Sequence, residues 1–308
     1  MSVLFTFPGQ GAQKPGMLHA LPDHPETVRT LAEASGALGR DVLALDSDAA
    51  LRSTDAVQLC LLVAGVAMAR VLAAHEAQPQ MVAGLSIGAW PAAVTAGVLG
   101  FADAVRLVEL RGRLMEDAYP SGYGMTAIGG LTRQQLAPLV AQVHAPTQPV
   151  YLANLNGARQ IVIAGSEPAM QAVAALALAH GAQRAERLAV AVPSHCALLD
   201  EQARALACAM DQVALARPRI AYISSSQARA LFDGRRIGAD LAANMAHPVL
   251  WADTVRHAWE RGARLAVEMP SGAVLTKLTA PEFPEGVALS CEGTRLDSLV
   301  LAVRSAAP

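Results

Sequence analysis

The chain has 308 residues, of which 53% are hydrophobic and 16% are charged, and its formal net charge is −2. This composition predicts a globular enzyme with a well-buried core and excludes a disordered or fibrous protein. Because the charge is close to zero and no basic block occurs, we expect no nucleic-acid partner.

The first part of the chain predicts alternating strands and helices. An apolar strand at 3–7 ends in a loop, 8–11, that contains a proline and two glycines. Further elements follow in the order helix, helix, strand, helix, helix, at 26–38, 55–75, 81–85, 87–96 and 101–117. The second helix contains the apolar region 56–74, which Gln58 and Arg70 interrupt. We therefore interpret it as a buried core helix and expect no membrane span.

A break that contains proline and glycine, at 120–124, separates this part from a segment with a different pattern. The predicted order there is strand, helix, strand, strand, helix, strand, at 125–131, 132–143, 150–155, 160–164, 167–180 and 184–192. This is the order of a ferredoxin-like unit. Beyond it we expect two helices and two strands, at 198–213, 251–262, 220–224 and 264–268.

These elements predict an α/β fold class with two domains. Residues 1–123 and 193–308 are expected to form a large α/β-hydrolase-like domain with a parallel sheet. Residues 124–192 are expected to form a small ferredoxin-like α+β domain that interrupts the large one.

The cysteines are scattered, and no CxxC pair occurs among Cys60, Cys196, Cys208 and Cys291. We therefore expect no metal site and no disulfide framework. This usage favours a reducing cytoplasm as the compartment. The apolar stretch 2–7 is too short for a signal peptide and is interpreted as a strand.

Residues 84–88, Gly-Leu-Ser-Ile-Gly, fit the G-x-S-x-G pattern. In a sharp turn from strand to helix, the two glycines allow a close reversal and lift the Ser86 hydroxyl to the edge of a sheet. The N–H of Ile87 would then point at an oxyanion from the positive end of the helix. An ordinary turn with a capping serine also satisfies so short a pattern. The apolar strand before it and the alanine-rich helix after it favour the nucleophile.

A serine nucleophile needs a base, and histidine is the usual one. His195 follows an apolar run at a turn shaped by proline, which is a suitable place for a cleft, and His247 is its rival. The other histidines lie in polar segments and are interpreted as exposed, namely His19, His24, His75, His144, His180 and His257.

Arg111 follows an apolar helix face and directly precedes Gly112. A surface ion pair is the commoner role of an arginine. A guanidinium in a cleft would instead bind a substrate carboxylate through two parallel hydrogen bonds. The residues by themselves leave both interpretations open.

Six motifs, in order over nearly the whole chain, resemble the malonyl-CoA:acyl carrier protein transacylase family. Four of them are continuous and lie at 7–13, 84–88, 111–115 and 192–198. A fifth, within 154–165, consists of Asn-Leu-Asn and then Gln-Ile-Val-Ile-Ala-Gly. The sixth, within 244–275, consists of Asn244, Pro-Val-Leu-Trp and Pro-Ser-Gly-Ala-Val-Leu. This resemblance implies that the chain is an acyltransferase that works through a serine ester.

The resemblance also implies a role for each matching residue. Ser86 would carry the acyl group, and His195 would act as general base and then as general acid. Gln10 and the N–H of Ile87 would face the oxyanion. Arg111 would bind the malonyl carboxylate and so exclude acetyl and longer apolar groups.

Further roles follow from the same resemblance. A main-chain carbonyl orients the histidine in this family, and the matching position here is Leu250. Asn156 and Gln160, in the predicted insert strands, are expected to bind substrate. Coenzyme A thioester would be a substrate and no cofactor would be bound. The acceptor would be a pantetheine-type thiol on a small acyl carrier protein, loaded at the same site in ping-pong order.

Two features depart from the family's usual pattern. Leu85 stands where histidine is usual, and Ala89-Trp90 where an acidic residue and then an aromatic one are usual. Together with 119–125, these positions resemble the epsilon subunit of bacterial malonate decarboxylase. That branch implies malonyl transfer to the phosphoribosyl-dephospho-CoA thiol of the decarboxylase carrier, with other decarboxylase subunits as further partners. Transfer to the acyl carrier protein of fatty-acid or polyketide synthesis is the alternative.

The sequence leaves two other functional classes as alternatives. A hydrolase would result if water reached the acyl-enzyme, but Arg111 and the lack of an obvious triad aspartate argue against it. A non-catalytic assembly subunit would retain the fold without activity, but the presence of both Ser86 and His195 argues against that class.

Overall fold

The computed structural model describes residues 1–307 and contains ten strands and eleven α-helices in that range. The strands are β1 (Ser2–Phe7), β2 (Met81–Gly84), β3 (Tyr123–Gly129), β4 (Val150–Gly157), β5 (Gln160–Ser166), β6 (Arg184–Arg187), β7 (Ala221–Ser224), β8 (Arg229–Leu231), β9 (Ala263–Glu268) and β10 (Val287–Ser290). The helices are α1 (Pro25–Leu38), α2 (Thr54–Ala74), α3 (Ala89–Thr95), α4 (Phe101–Ala118), α5 (Arg133–Val143), α6 (Glu167–Ala179), α7 (Asp200–Met210), α8 (Gly234–Ala243), α9 (Trp251–Glu260), α10 (Val274–Thr279) and α11 (Leu296–Ala306).

Six strands form the larger sheet, in the order β10-β9-β1-β2-β7-β8. All neighbours are parallel except β8, which forms an antiparallel hairpin with β7. Parallel strands are usually covered on both faces, and β1 and β2 accordingly consist almost wholly of buried residues. Phe7 pairs with Gly84, so the loops that follow β1 and β2 meet at one edge of the sheet.

Helix α2 lies at the centre of the main core and is apolar nearly all round, as a buried helix must be. Within residues 1–307 it is the one helix whose length and composition would suit a membrane span, but 89% of its apolar window is buried inside the protein. Gly65 lets it pack closely, because a Cβ there would lie 2.9 Å from the Phe7 ring. These contacts agree with its interpretation as a core helix.

The remaining four strands form a second, antiparallel sheet in the order β4-β5-β3-β6. With α5 and α6 between them in the chain, the element order is β-α-β-β-α-β. One face packs on these two helices through residues such as Ile128 and Leu136. The other face places Met125 and Val162 in a small apolar cluster with Cys196. The α/β class with a parallel sheet is confirmed, together with a second, small antiparallel sheet.

The connection between α8 and α9, residues 244–250, joins the two sheets. The N–H and the carbonyl of Val249 form main-chain hydrogen bonds with β4, at 2.9 and 2.7 Å. The N–H of Leu250 donates to the carbonyl of Ser225, in the β7–β8 loop, at 2.7 Å. The 244–250 segment is therefore fixed to both sheets, which matters for the site described below.

The strand predicted at 184–192 is shorter in the structure, where β6 ends at Arg187. The Arg187 guanidinium donates to the carbonyls of Leu188 and Val190 at 2.6 and 2.9 Å, and the chain leaves the sheet there. The helix predicted at 87–96 begins instead as a 3-10 turn, Ser86–Gly88, before α3. Several late elements were not predicted, namely β8, α8, α10, β10 and α11.

Candidate active site

Ser86 lies in the sharp turn between β2 and α3, with a backbone φ of 56°. This left-handed conformation is unfavourable for a residue with a side chain and is typical of functional positions. The two flanking glycines are required by space. A Cβ on Gly84 would lie 2.0 Å from the backbone of Gly88, and one on Gly88 would lie 2.0 Å from the carbonyl oxygen of Phe7. The turn therefore has the geometry expected of a nucleophile elbow.

The loop after β1 packs directly against this turn. The N–H of Leu85 donates to the carbonyl of Phe7 at 3.0 Å, and a Cβ on Gly9 would lie 2.8 Å from the Leu85 carbonyl oxygen. This contact brings Gln10 to the wall of the cavity that also contains Ile87. The N–H of Ile87 belongs to the first turn of a helical segment, where N–H groups lack partners within the helix. Both groups are placed where they could stabilise an oxyanion beside Ser86.

His195 follows the short strand β6 and its exit loop and also has a left-handed backbone, with φ 66°. It is 2% exposed. Its ring Nδ1 lies 2.8 Å from the carbonyl oxygen of Asn244 and 3.2 Å from that of His247. Its own N–H donates to the carbonyl of Met245 at 2.7 Å. The 244–250 segment thus holds both the main chain and the ring of this histidine.

These contacts decide the protonation of His195. Burial, and then the nearby charge of Arg111, lower its pKa to about 4, against the opposing effect of the two carbonyls. The ring is therefore neutral at pH 7. Because Nδ1 faces carbonyl oxygens, which only accept, it carries the proton and donates it. Nε2 then has a free lone pair, which is the form that a general base requires.

The expectation that the Leu250 carbonyl orients the histidine is corrected by the structure. Leu250 is the residue before α9, and its carbonyl accepts from the N–H and the hydroxyl of Thr254 at 2.9 and 2.7 Å. That oxygen is used by the first turn of a helix. Asn244 and His247, three to six positions earlier in the same connection, supply the carbonyls instead.

Arg111 lies on the buried face of α4 and is 0% exposed. Its Nη1 donates to Oε1 of Gln58 at 2.5 Å, and its Nη2 donates to Oγ of Ser86 at 3.3 Å. No ion pair joins it to an acidic residue within residues 1–307, and its Nε has no hydrogen-bond partner there. Arg111 therefore does not form the surface ion pair that was one of its two possible roles.

A buried guanidinium without a counter-ion is unfavourable, because desolvation penalises its charge. Burial lowers the pKa of Arg111 to about 9, which still leaves it charged at neutral pH. The positive charge lies beside the Ser86 hydroxyl and has an unused donor. A ligand carboxylate at this place would supply the missing charge and the missing acceptor.

Ser86, His195, Arg111 and Gln58 line one cavity of about 410 Å³. The sequence-predicted residues that line it are Gln10, Ser86, Ile87, Arg111, Asn156, Gln160 and His195, and Leu250 does not. The large sheet supplies the loops, and the small sheet supplies a wall that combines apolar residues such as Met125 and Val162 with polar ones. Ser86 and His195 line the same cavity, but within residues 1–307 no hydrogen bond joins them, and Ser86 Oγ accepts a hydrogen bond from Arg111. Such bonds are often long before substrate is present.

Four polar residues that line this cavity were given no role from the sequence, namely Gln13, Gln58, Asn154 and Ser194. Gln58 lies on α2, is 1% exposed and orients Arg111 by accepting its hydrogen bond. The sequence shows it only as an interruption of an apolar run. A polar residue in the middle of a core helix was the signal that could have found it. Asn154 lines the cavity beside Asn156, and the side-chain oxygens of both are buried without a partner in the described chain. Unpaired buried oxygens of this kind are available to ligand donors.

The histidine alternatives are resolved by position. His247 contributes its carbonyl to the site, while its side chain is exposed and does not line the cavity. None of the other six histidines lines it either. Within residues 1–307, no cluster of three histidine, cysteine or acidic side chains is arranged to hold a metal ion.

Comparison with known proteins agrees with this arrangement. Residues 4–287 match the family model of the acyl transferase domain. The malonyl CoA-acyl carrier protein transacylase of Haemophilus influenzae is 39% identical over 280 residues, which cover 89% of this chain and 89% of that protein.

Solved structures show the same fold. The malonyl CoA-acyl carrier protein transacylase of Coxiella burnetii superposes with a TM-score of 0.93 and 33% identity, over 100% of this chain and 98% of that one. A malonyl-transacylase solved in complex with its type II PKS acyl-carrier protein gives a TM-score of 0.91 and 36% identity, over 99% and 100% of the two chains. The chain therefore belongs to the acyl transferase domain family, among the malonyl CoA-acyl carrier protein transacylases, and is a malonyltransferase.

Proposed function

We propose that this protein transfers malonyl from malonyl-CoA to the thiol of an acyl carrier protein through an ester on Ser86. The observation that carries the proposal is the buried, unpaired guanidinium of Arg111, 3.3 Å from the Ser86 hydroxyl. Malonyl ends in a carboxylate that would pair with this charge while its thioester carbon lies at the serine. Acetyl has no such group and would leave the charge unpaired.

The first half-reaction forms the ester. Ser86 Oγ attacks the thioester carbonyl and gives its proton to His195 Nε2. The Ile87 N–H and Gln10 stabilise the oxyanion of the tetrahedral intermediate. The carbon–sulfur bond then breaks, and the coenzyme A sulfur takes the proton from His195. In the second half-reaction, the carrier thiol gives its proton to His195 and its sulfur attacks the ester carbonyl. The bond between the acyl carbon and Ser86 Oγ then breaks, and that oxygen takes the proton from His195.

The amide-bearing arm of coenzyme A, or of the carrier, would lie along the small sheet. Asn156 and Gln160 line that part of the cavity, as does Asn154, and two of these side-chain oxygens are buried without partners. The proposed roles of these residues are to accept hydrogen bonds from amide N–H groups. The coenzyme A thioester acts as a substrate in this scheme and no resident cofactor is needed.

An acyl carrier protein is the favoured acceptor because the relatives carry that name and one was solved with such a carrier bound. The phosphoribosyl-dephospho-CoA carrier of malonate decarboxylase is the second candidate. It rests on Leu85 and on Ala89-Trp90, which depart from the usual family pattern at the elbow. Leu85 packs against the Gly9 loop, and Trp90 is fully buried in α3, the helix that follows the turn with Ser86.

The experiment that tests the proposal offers malonyl-CoA and two purified carriers, one with phosphopantetheine and one with the phosphoribosyl-dephospho-CoA group. Mass spectrometry of each carrier follows the added malonyl. We expect the phosphopantetheine carrier to be loaded faster. Loading of the second carrier alone would move the protein to the decarboxylase branch, and release of free malonate without loading would make it a hydrolase.

We further propose that the large part of the fold is α/β-hydrolase-like and that 124–192 is a ferredoxin-like insert domain. The nucleophile turn at the carboxyl end of β2 supports the first description. The element order β-α-β-β-α-β and the strand order β4-β5-β3-β6 support the second.

A further inference from the structure

Asp240, in helix α8, is a buried carboxylate with an exposed fraction of 5% and no ion-pair partner within residues 1–307. Its Oδ1 accepts hydrogen bonds from the hydroxyls of Ser224 and Ser226, at 2.8 and 2.5 Å, and from Nε2 of Gln227 at 3.2 Å. Its Oδ2 accepts from the Tyr222 hydroxyl at 3.2 Å. The buried carboxylate thus has four neutral hydrogen-bond donors and no cation. Such hydrogen bonds compensate the loss of water around its oxygens.

All four donors lie in β7 or in the loop between β7 and β8. β7 is the neighbour of β2, the strand that ends at the nucleophile turn, and Tyr222 pairs with Val82. The same loop contains Ser225, whose carbonyl accepts the N–H of Leu250 at 2.7 Å. Asp240 therefore fixes the loop to which the end of the 244–250 segment is bonded.

Asp240 also lies one helical turn before the start of that segment. The N–H of Asn244 donates to the main-chain carbonyl of Asp240 at the end of α8. The carbonyls of Asn244 and His247 are the two acceptors for Nδ1 of His195. The 244–250 segment, which carries both acceptors, therefore starts directly after α8, the helix that contains Asp240. It ends with a hydrogen bond to the β7–β8 loop, which the Asp240 carboxylate binds.

We propose that Asp240 is a positioning residue for the acyl transfer reaction. It acts through the 244–250 segment, whose carbonyls keep the ring proton of His195 on Nδ1 and leave Nε2 free toward Ser86. This inference rests on the proposed function, because the position of the ring matters for rate only if His195 takes the proton of Ser86. The contact needs the hydrogen bonds of the carboxylate rather than its charge, since every partner is neutral.

The test compares Asp240→Ala with Asp240→Asn. Alanine removes all four bonds, whereas asparagine retains an oxygen for the serines and an amide that can donate to the Tyr222 hydroxyl. Asp233→Ala is the matched control. It removes the N-cap of α8, where Asp233 accepts from the N–H of Arg236 at 2.8 Å, without touching the Asp240 contacts.

Two readouts are measured on each protein. The 15N chemical shifts of the His195 ring report its tautomer in the absence of substrate, and kcat and KM report malonyl transfer. For Asp240→Ala we expect a mixture of tautomers and a kcat lower by about 10- to 100-fold, with KM for malonyl-CoA within about twofold of wild type. Asp240→Asn should keep one tautomer and most of kcat. Asp233→Ala should lower stability but leave both readouts unchanged.

A folded Asp240→Ala protein with the wild-type tautomer and the wild-type kcat would overturn the inference. If Asp240→Ala does not fold, Ser226→Ala removes the shortest of the four bonds to Asp240, together with the 3.2 Å contact between the hydroxyls of Ser226 and Ser224. For that variant we expect a partial tautomer shift with kcat lower by about 2- to 10-fold. An unchanged tautomer and kcat in that variant would equally overturn it. The NMR readout needs no turnover, so absence of malonyl transfer in the wild-type protein would refute the proposed function and leave the tautomer result to be judged separately.

Discussion

Arg111 is fully buried without a carboxylate partner within residues 1–307, and its charge is held by the neutral oxygens of Gln58 and Ser86. Neutral oxygens compensate a guanidinium only in part. The site is therefore most favourable for an acyl group that carries its own carboxylate. In the same contact the guanidinium donates to Ser86 Oγ, which leaves the hydroxyl proton of Ser86 available to His195.

We expect Arg111→Ala to lower kcat/KM for malonyl-CoA by about 100- to 1,000-fold, which corresponds to about 3–4 kcal/mol. The ratio of acetyl to malonyl transfer should rise, because the charge that acetyl leaves unpaired is gone. The measurement is transfer from each thioester by mass spectrometry. Arg113→Ala is the control, since that exposed arginine on the same helix pairs with Glu109 at 2.6 Å. An unchanged ratio in Arg111→Ala would remove this residue from substrate selection.

The low pKa of His195 predicts an unusual pH dependence. Burial and the charge of Arg111 lower that pKa to about 4, so the neutral base is present down to mildly acidic pH. We expect kcat/KM to stay level down to about pH 5 and to fall below it. When malonyl pairs with Arg111, one cause of the shift is removed, so the pKa in the kcat profile should be higher. A kcat/KM profile that falls near pH 6.5 would contradict the assigned environment of the histidine.

At the scale of elements, the nucleophile turn depends on close approach between three pieces of backbone. Gly88 separates the carbonyl of Phe7 from the start of α3, and its missing Cβ would lie 2.0 Å from that oxygen. The strand β1, its loop and the start of α3 could not otherwise be in contact. The glycines of the G-x-S-x-G pattern are therefore explained by packing as well as by turn conformation.

Gly88→Ala should accordingly destabilise the protein by about 2–4 kcal/mol and abolish acyl-enzyme formation, because backbone must move to admit the methyl group. Gly36→Ala is the matched control, since it is exposed in α1 with open space at its Cβ and should stabilise by about 0.5–1 kcal/mol. Urea unfolding of both variants measures the difference. Equal stabilities for Gly88→Ala and wild type would show that the turn can relax.

Many elements up to residue 180 could be predicted because they combine an apolar period with a stop signal, such as the glycine that ends α1. The late elements lack those signals. β8 has three residues, and β10 has only one buried residue among four, so neither shows a strand pattern. The early end of β6 depends on the Arg187 guanidinium and the carbonyls it binds, which no local pattern reveals.

The candidate site likewise contains residues that the sequence alone could predict and residues that it could not. Ser86 could be predicted because its turn needs particular residues on both sides. His195 and Arg111 required the family resemblance, since polarity and spacing left a rival histidine and a surface ion pair open. The carbonyls that orient His195 could not be read from side chains, because every residue carries one, and the expectation for Leu250 was wrong for that reason.

At the scale of the whole molecule, the cavity is lined by loops of the large sheet and by strands of the small sheet, and the 244–250 segment is hydrogen-bonded to both sheets. The large sheet supplies the turn with Ser86, and the small sheet supplies the apolar wall and the asparagines. His195 lies where the chain returns from the small sheet to the large one. The groups proposed to catalyse the reaction and to hold the substrate therefore depend on the same tertiary contacts.

Because His195 is buried in its neutral form, the free energy of unfolding should decrease at acidic pH. His195 has a pKa of about 4 in the folded protein against 6.5 when exposed, so between these values the unfolded chain binds more protons. Stability should therefore fall as pH falls through this window, by up to about 1.4 kcal/mol per pH unit from this group. Urea unfolding of wild type and of His195→Gln, which cannot gain the proton, measures the difference in slope. Parallel pH dependences would contradict a buried neutral ring.

The proposal that Ser86 carries malonyl beside Arg111 is tested most directly by intact mass and peptide mapping after brief incubation with malonyl-CoA. We expect one added malonyl group on Ser86 in the wild-type protein, none in Ser86→Ala, and strongly reduced labelling in Arg111→Ala. A folded wild-type protein that acquires no malonyl, or acquires it on another residue, would contradict the proposed mechanism.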